Sequence, residues 1–344
     1  MIFLISREHF FKKQNKLIYM KRKNFYFASA NTGDGFVNFL DKIAQDGFMY
    51  IIKGGPGTGK STMMKKIAQH FWEAGNSIEY YYCSTDPESL DGIRIVDKNV
   101  AIVDGTAPHI VNPQIVGVTH KILDVGQFVG NILKHKETLE NLTLQKGNCF
   151  KNMYGYLSAA RQLDDINFDI AKSHISEKLV AKKAKDLFAK IKKFDVQDQN
   201  KTLFLQSINT NLVDLGKQNK FKKVVFLAGR YEAFMVFEAL SKMLQKNKIC
   251  HTKILDSLNS KFINAIVLNN KIIIKNIKNN IKTNRKIENN NILIKNIVKN
   301  ASAEVGLARQ IHKKLEEIYV PNVDFAGLEN LSQKTIEEIE KLKG

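Results

Sequence analysis

One octapeptide, Gly54-Gly55-Pro56-Gly57-Thr58-Gly59-Lys60-Ser61, constrains this chain more than any other stretch. It fits the pattern Gly, four residues of any kind, Gly, Lys and a hydroxyl residue. The apolar run Met49-Tyr50-Ile51-Ile52 before it reads as a buried strand. Ser61 to Ala74 after it carries Met64, Ile67, Ala68 and Phe71 at helical spacing and stops at Gly75-Asn76. Strand, glycine turn and helix is the order in which backbone N–H groups close around phosphate oxygens, with no side chain in the way. The helix start adds free donors and partial positive charge. Gly54, Gly55, Pro56, Gly57, Thr58, Gly59, Lys60, Ser61 and Thr62 are therefore the expected nucleotide-binding residues. Lys60 is placed to reach the outer phosphates of ATP, and the Ser61 hydroxyl to hold Mg²⁺.

A second strand is expected at Ile78–Cys83, then a polar loop at 84–92, a short run at Ile93–Val96 and a turn at Asp97-Lys98-Asn99. Val100-Ala101-Ile102-Val103-Asp104 follows, four apolar residues ending in a carboxylate. Open α/β sheets place ligands at the carboxyl ends of strands, so Asp104 is the expected second ligand of the Mg²⁺ held by Ser61. Gly105 stands where many ATPases carry a glutamate that polarises water. A base must then come from elsewhere, and Asp86, Glu88 and Asp91 in the 84–92 loop, or His109, are the candidates. The bland alternative is that Asp86 and Asp91 cap turns and that His109 is a hydrogen-bonded structural histidine.

The chain has 344 residues, 44% of them hydrophobic, enough for two domains with proper cores. No apolar run approaches the roughly 18 residues of a membrane-spanning helix, so no membrane association is expected. Residues 1–22 read as a disordered extension and a poor signal peptide, with Met20 a second plausible start. Cys83, Cys149 and Cys250 are scattered. No CxxC pair or Cys/His cluster in the sequence suggests zinc, and a cytoplasmic location fits. The net charge of +19 allows a nucleic-acid or acidic partner. A Lys, Asn and Ile bias spread over solvated faces explains the same total.

From about 124 to 194 the pattern is helical, and a helical hairpin is expected there. Its basic face carries Lys178, Lys182, Lys183, Lys185 and Lys190. Residues 23–195 form the expected first domain and 200–344 a second copy of it. Ser29-Ala30-Asn31-Thr32 recurs as Ser207-Ile208-Asn209-Thr210, and the strand before the glycine turn as Val224-Val225-Phe226-Leu227. The run 97–104 recurs as 269–276, and Ala160-Arg161-Gln162 as Ala308-Arg309-Gln310. The second copy has lost its chemistry. Arg230-Tyr231-Glu232 replaces the glycine turn and Asn276 replaces Asp104. A low-complexity Lys/Asn/Ile segment at 271–300 permits partial disorder or short strands. The expected fold is α/β: a P-loop NTPase parallel sheet with flanking helices, a long helical insertion and a degenerate second α/β copy.

The runs 27–32, 53–62, 83–92 and 101–109, with Leu315–Tyr319 and Asp324-Phe325 near the end, resemble a family of uncharacterised bacterial tandem P-loop proteins common in spore-forming Firmicutes. Members usually carry P-loops in both halves, and this chain departs from that in its second half. The resemblance implies ATP binding with ATPase or kinase-like activity. Mg²⁺-dependent ATP hydrolysis coupled to movement of the helical region is the first expectation, with Lys60, Asp104 and an acid from Asp86 or Asp91 as catalytic residues. Phosphoryl transfer to a small molecule or nucleotide is the second, and a nucleotide-gated nucleic-acid binder without turnover the third. Arg161, recurring as Arg309, reads as a packing or salt-bridge residue.

Overall fold

A computed structural model describes residues 22–192, 199–209, 213–278 and 284–342. The expected extension, apart from Arg22, and Thr210 of the repeat lie outside them. The first half contains β1 (Lys23–Tyr26), β2 (Ser29–Thr32), β3 (Gly35–Asn38), β4 (Phe48–Lys53), α1 (Lys60–Glu73), β5 (Ile78–Tyr82), β6 (Leu90–Ile95), β7 (Val100–Asp104), β8 (His120–Asp124), α2 (Lys136–Lys172) and α3 (Glu177–Ile191). The second half contains β9 (Lys201–Leu203), β10 (Lys222–Ala228), α4 (Arg230–Lys246), β11 (Thr252–Leu255), β12 (Ile263–Leu268), β13 (Ile272–Lys278), α5 (Arg285–Tyr319) and α6 (Phe325–Lys341). The fold is mixed α/β.

The first sheet has the order β1-β5-β6-β7-β4-β8. Its centre is apolar on both faces: Met49 to Ile52 of β4 and Val100 to Val103 of β7 are all buried, as strands covered on both sides require. The expected parallel sheet is corrected in one strand. β6 runs antiparallel to both β5 and β7. The connections around β6, at 83–89 and 96–99, are far shorter than the dozen or so residues of a parallel crossover. The 84–92 loop is likewise shorter than expected. Leu90, Asp91 and Gly92 belong to β6, and Asp91 is buried within the sheet.

The second sheet has the order β10-β13-β12-β11-β9. Strand for strand this repeats β4-β7-β6-β5-β1, with the same parallel and antiparallel pairings. Details repeat too. Ladder irregularities fall between Tyr81 and Tyr82 and between Ile254 and Leu255. Ile52 pairs with Asp104, and Phe226 with Asn276. The low-complexity segment is ordered where described: Ile272–Lys278 is β13 and residues from Arg285 onward belong to α5.

The expected helical hairpin does not form. α2 packs along α5, and α3 packs on α4. Asn152 faces Glu304, and Asn167 faces Asn290, so α2 and α5 run antiparallel. Met153, Leu157 and Ala160 meet Ala301 and Val305 in their seam. Val180, Ala184, Leu187 and Ile191 of α3 join the core of the second sheet. Conversely, Leu328, Ile336 and Ile339 of α6 join the core over α1 and the first sheet. Each fully buried Leu or Ile among them stabilises the fold by about 1.5–3 kcal/mol. The two halves thus exchange their last helices, and the boundary near residue 195 divides the sequence but not the packing. Of the expected basic face, Lys183 is paired with Glu232 at 2.6 Å.

The remaining faces of the two sheets share one core, in which Tyr26, Phe27, Ile51 and Val103 meet Leu203, Phe204, Val267 and Ile273. Glu79 of β5, fully buried, spans it. Its carboxylate accepts from Lys201 at 2.6 and 2.8 Å, Asn270 at 2.6 Å and Tyr81 at 2.7 Å, with Arg94 at 3.5 Å. No helix among the described residues is long and apolar enough to cross a membrane.

Candidate functional site

β4 ends at Lys53 and α1 begins at Lys60, so the six residues Gly54–Gly59 make the turn between them. Gly57 (φ 65°) and Gly59 (φ 81°) adopt left-handed backbone that side chains disfavour. Gly54 and Gly55 are required by crowding: a Cβ would meet Val125 at the first and the Tyr319 ring, at 2.8 Å, at the second. Thr58 Oγ1 donates to the Gly55 carbonyl at 2.9 Å and closes the turn. No side chain caps α1 at Gly59.

Lys60 folds back into the mouth of the turn. Its ammonium donates to the carbonyls of Gly54 (2.9 Å) and Gly55 (2.8 Å) and lies 3.6 Å from Asp104 Oδ2. No strand stands between β4 and β7, so Asp104 reaches Lys60 directly. The other carboxylate oxygen, Oδ1, accepts the Thr106 N–H at 2.8 Å, and Thr106 Oγ1 donates to the Gly54 carbonyl at 3.0 Å. The Ser61 hydroxyl accepts the Leu90 N–H at 3.0 Å. Lys53 donates to the carbonyls of Gly105 and Val111. A side chain at Gly105 would collide with Ile51, so the position after Asp104 has no space for an acid.

Helices from elsewhere in the chain reach this turn. Arg309 of α5 donates to Asp86 Oδ1 at 2.8 Å, while Ser89 donates to Oδ2 at 3.1 Å. His312, one turn further on, lies 3.6 Å from Glu316. Burial and the charges of Lys146 and Lys60 push the His312 imidazole down to about 4. Burial and the Lys60 charge lower the Lys146 ammonium of α2. Burial and Asp86 raise the Glu316 carboxyl, against the pull of Lys313 and Lys60. The α5–α6 corner closes one side, with Tyr319, Val320 and Leu328 against Gly55, Gly57 and Gly59.

Asp91 and His109 lie together beside this turn. Ser29 Oγ donates to Asp91 Oδ2 at 3.0 Å, and His109 Nε2 lies 3.4 Å from Oδ1. Burial, then the Asp104 charge, raise the Asp91 carboxyl, with His109 opposing. Glu88 is exposed and apart from the cluster; its carbonyl accepts from Lys65.

The structure therefore gathers Gly54–Thr62, Lys60, Ser61, Asp104 and Asp86 around one turn, with Asp91 and His109 adjoining. The recurring arginines differ. Arg161 pairs with Asp34 and Asp165, as a packing residue should. Arg309 instead enters the site. Sequence reasoning missed Lys146, His312, Glu316 and Tyr319, which lie on helices whose docking no local pattern specifies. It underrated Arg309, for which the repeated Ala-Arg-Gln was the available signal.

A family model described as Nephrocystin 3, N-terminal, matches residues 33–96, the stretch from β3 through the glycine turn and α1 to the end of β6. No curated protein and no solved structure matches the chain.

Proposed function

We propose that the chain binds ATP with Mg²⁺ at the Gly54–Ser61 turn and hydrolyses it, using a P-loop NTPase fold. The observation that carries this reading is the Lys60 ammonium, held in the mouth of a strand–turn–helix unit 3.6 Å from the Asp104 carboxylate. Phosphoryl transfer needs positioning and charge neutralisation above all. Lys60, Lys146 and Arg309 supply positive charge from three different helices. The hard oxygen donors of Ser61 and Asp104 fit Mg²⁺, which offsets phosphate charge when bound. Asp86, held by Arg309 and Ser89, would be the residue to position an attacking water.

The second sheet reads as a copy of the first without a phosphate site. Only Gly229 separates β10 from α4, and Asn276 is spent on both backbone groups of Ala228, at 2.9 and 3.0 Å. Its long helix α5 nevertheless delivers Arg309 to the working half. Nucleotide-dependent movement of the α5–α6 corner would follow. This likeness between halves supports the resemblance to tandem P-loop proteins.

A second reading, kinase activity, is favoured by Gly105, where no acid can stand. ADP release measured with and without candidate hydroxyl acceptors separates the two. Hydrolysis predicts acceptor-independent release, and a kinase predicts release that rises with the acceptor.

A further inference from the structure

We infer that Cys83, Asp91 and His109 form a binding site for a single divalent metal ion of zinc's class, distinct from the Mg²⁺ position at Ser61 and Asp104. The sheet order brings the three together. Cys83 follows β5, Asp91 lies at the start of β6, and His109 lies in the loop after β7, and these strands are neighbours. One donor atom from each lies within 4.8 Å of the other two.

The three donors already face one another, and the Cys83 thiol donates a hydrogen bond to the Asp91 carboxylate, a proton that an ion would replace. His109 Nε2 and Asp91 Oδ1 are 3.4 Å apart, longer than a normal N–H···O hydrogen bond. Two donors each about 2.1 Å from a tetrahedral zinc ion stand about 3.4 Å apart. His109 is only 7% exposed, and Nε2 is the ring nitrogen it turns toward Asp91. The ring is held edge-on to Phe36, with centroids 5.0 Å apart. Ser29 already holds the other Asp91 oxygen, as outer partners of ligating carboxylates do.

The donor set selects the ion. One sulfur, one nitrogen and one carboxylate oxygen suit zinc, whereas Mg²⁺ takes oxygen alone. Cys83 is a free thiol. Binding forms the sulfur–metal bond and releases the thiol proton to solvent. Thiolate and carboxylate together then balance the charge of the ion, and a fourth position is left for water. An ion here removes Asp91 and His109 from acid–base work on the nucleotide.

The test is a Co²⁺ titration of the full-length protein, freed of metal by chelator and without nucleotide, followed by Zn²⁺ competition. One equivalent should bind, with tetrahedral Co²⁺ absorption and a thiolate-to-cobalt charge-transfer band, and Zn²⁺ should displace it. Cys83→Ser should lose the charge-transfer band, and His109→Gln should weaken Zn²⁺ binding by about tenfold or more. Lys60→Ala should bind metal as the unchanged chain does, whether or not ATP binds. Melting curves of the metal-free variants check that they fold. Absence of stoichiometric binding by the unchanged chain overturns the inference. So does a charge-transfer band that survives Cys83→Ser, since Cys149 or Cys250 would then be the ligand.

Discussion

Arg309 and Asp86, 223 residues apart in sequence, meet at 2.8 Å, so the long helix of the second half is hydrogen-bonded to the loop that flanks the glycine turn of the first. Both side chains are partly exposed, and such a pair contributes under about 1 kcal/mol to stability. Its importance is positional. Arg309→Ala should therefore lower ATP turnover by about tenfold or more while shifting the melting temperature by only a few degrees. Steady-state kinetics beside a thermal melt check this. An equal loss of stability and rate would make Arg309 a packing residue, as Arg161 is.

Glu79 should control the stability of the whole molecule. Burial pushes its carboxyl up, but the charges of Lys201 and Arg94 and the hydrogen bonds from Lys201 and Tyr81 outweigh it and hold the group at about 2. A folded value below the unfolded 4.5 means that the stabilisation is complete above about pH 4.5 and is lost as pH falls toward 2, about 3 kcal/mol in all. Glu79→Ala leaves Lys201 and Arg94 buried without their anion and should cost about 3–5 kcal/mol. Denaturant unfolding of both proteins at pH 7, and of the unchanged chain down to pH 3, measures each effect.

His312 should make nucleotide binding depend on pH. Its imidazole is pushed down from 6.5 to about 4 by burial and by Lys146 and Lys60, with Asp86 opposing. Without nucleotide this group costs nothing above about pH 6.5 and lowers stability as pH falls from there toward 4. A triphosphate set between the same lysines reverses the local charge and raises the imidazole. Binding should then take up protons near pH 6, and affinity should rise as pH falls from about 7.5 to 6. Calorimetry in two buffers of different ionisation heat reads the uptake, which His312→Gln should abolish. Equal heats in both buffers with the unchanged chain would contradict it.

Asp104→Asn should raise the Mg²⁺ concentration needed for half-maximal turnover by about tenfold or more, because an amide oxygen carries no charge for the ion. A Mg²⁺ titration of the rate checks this. An unchanged midpoint would remove Asp104 from the metal.

What the sequence discloses is what short-range chemistry dictates. The glycine turn, α1 with its buried Met64, Ile67, Ala68 and Phe71, and β7 ending in Asp104 are local patterns, and each stands where it was expected. The antiparallel β6 was concealed by reading 84–92 as one polar loop, although the brevity of its two connections implied the reversal. The exchange of α3 and α6 between halves is invisible to periodicity, which shows that a helix has an apolar face but not what covers it. The same holds for the site. Lys60 and Asp104 belong to readable motifs. His312 and Lys146 reach the turn only through the α2–α5 pair. Cys83, Asp91 and His109 have no metal-binding spacing along the chain, since adjacent strand ends bring them together.

The most direct measurement is ADP release by the purified protein with ATP and Mg²⁺, compared with Lys60→Ala, with ATP binding followed in parallel. The unchanged protein should bind ATP and turn it over. The variant should keep its fold and lose turnover by about 100-fold or more, since the proposed function assigns Lys60 to the outer phosphates. Equal turnover by the two proteins, or no ATP binding by the unchanged chain, would contradict the assignment of the Gly54–Ser61 turn as the nucleotide site.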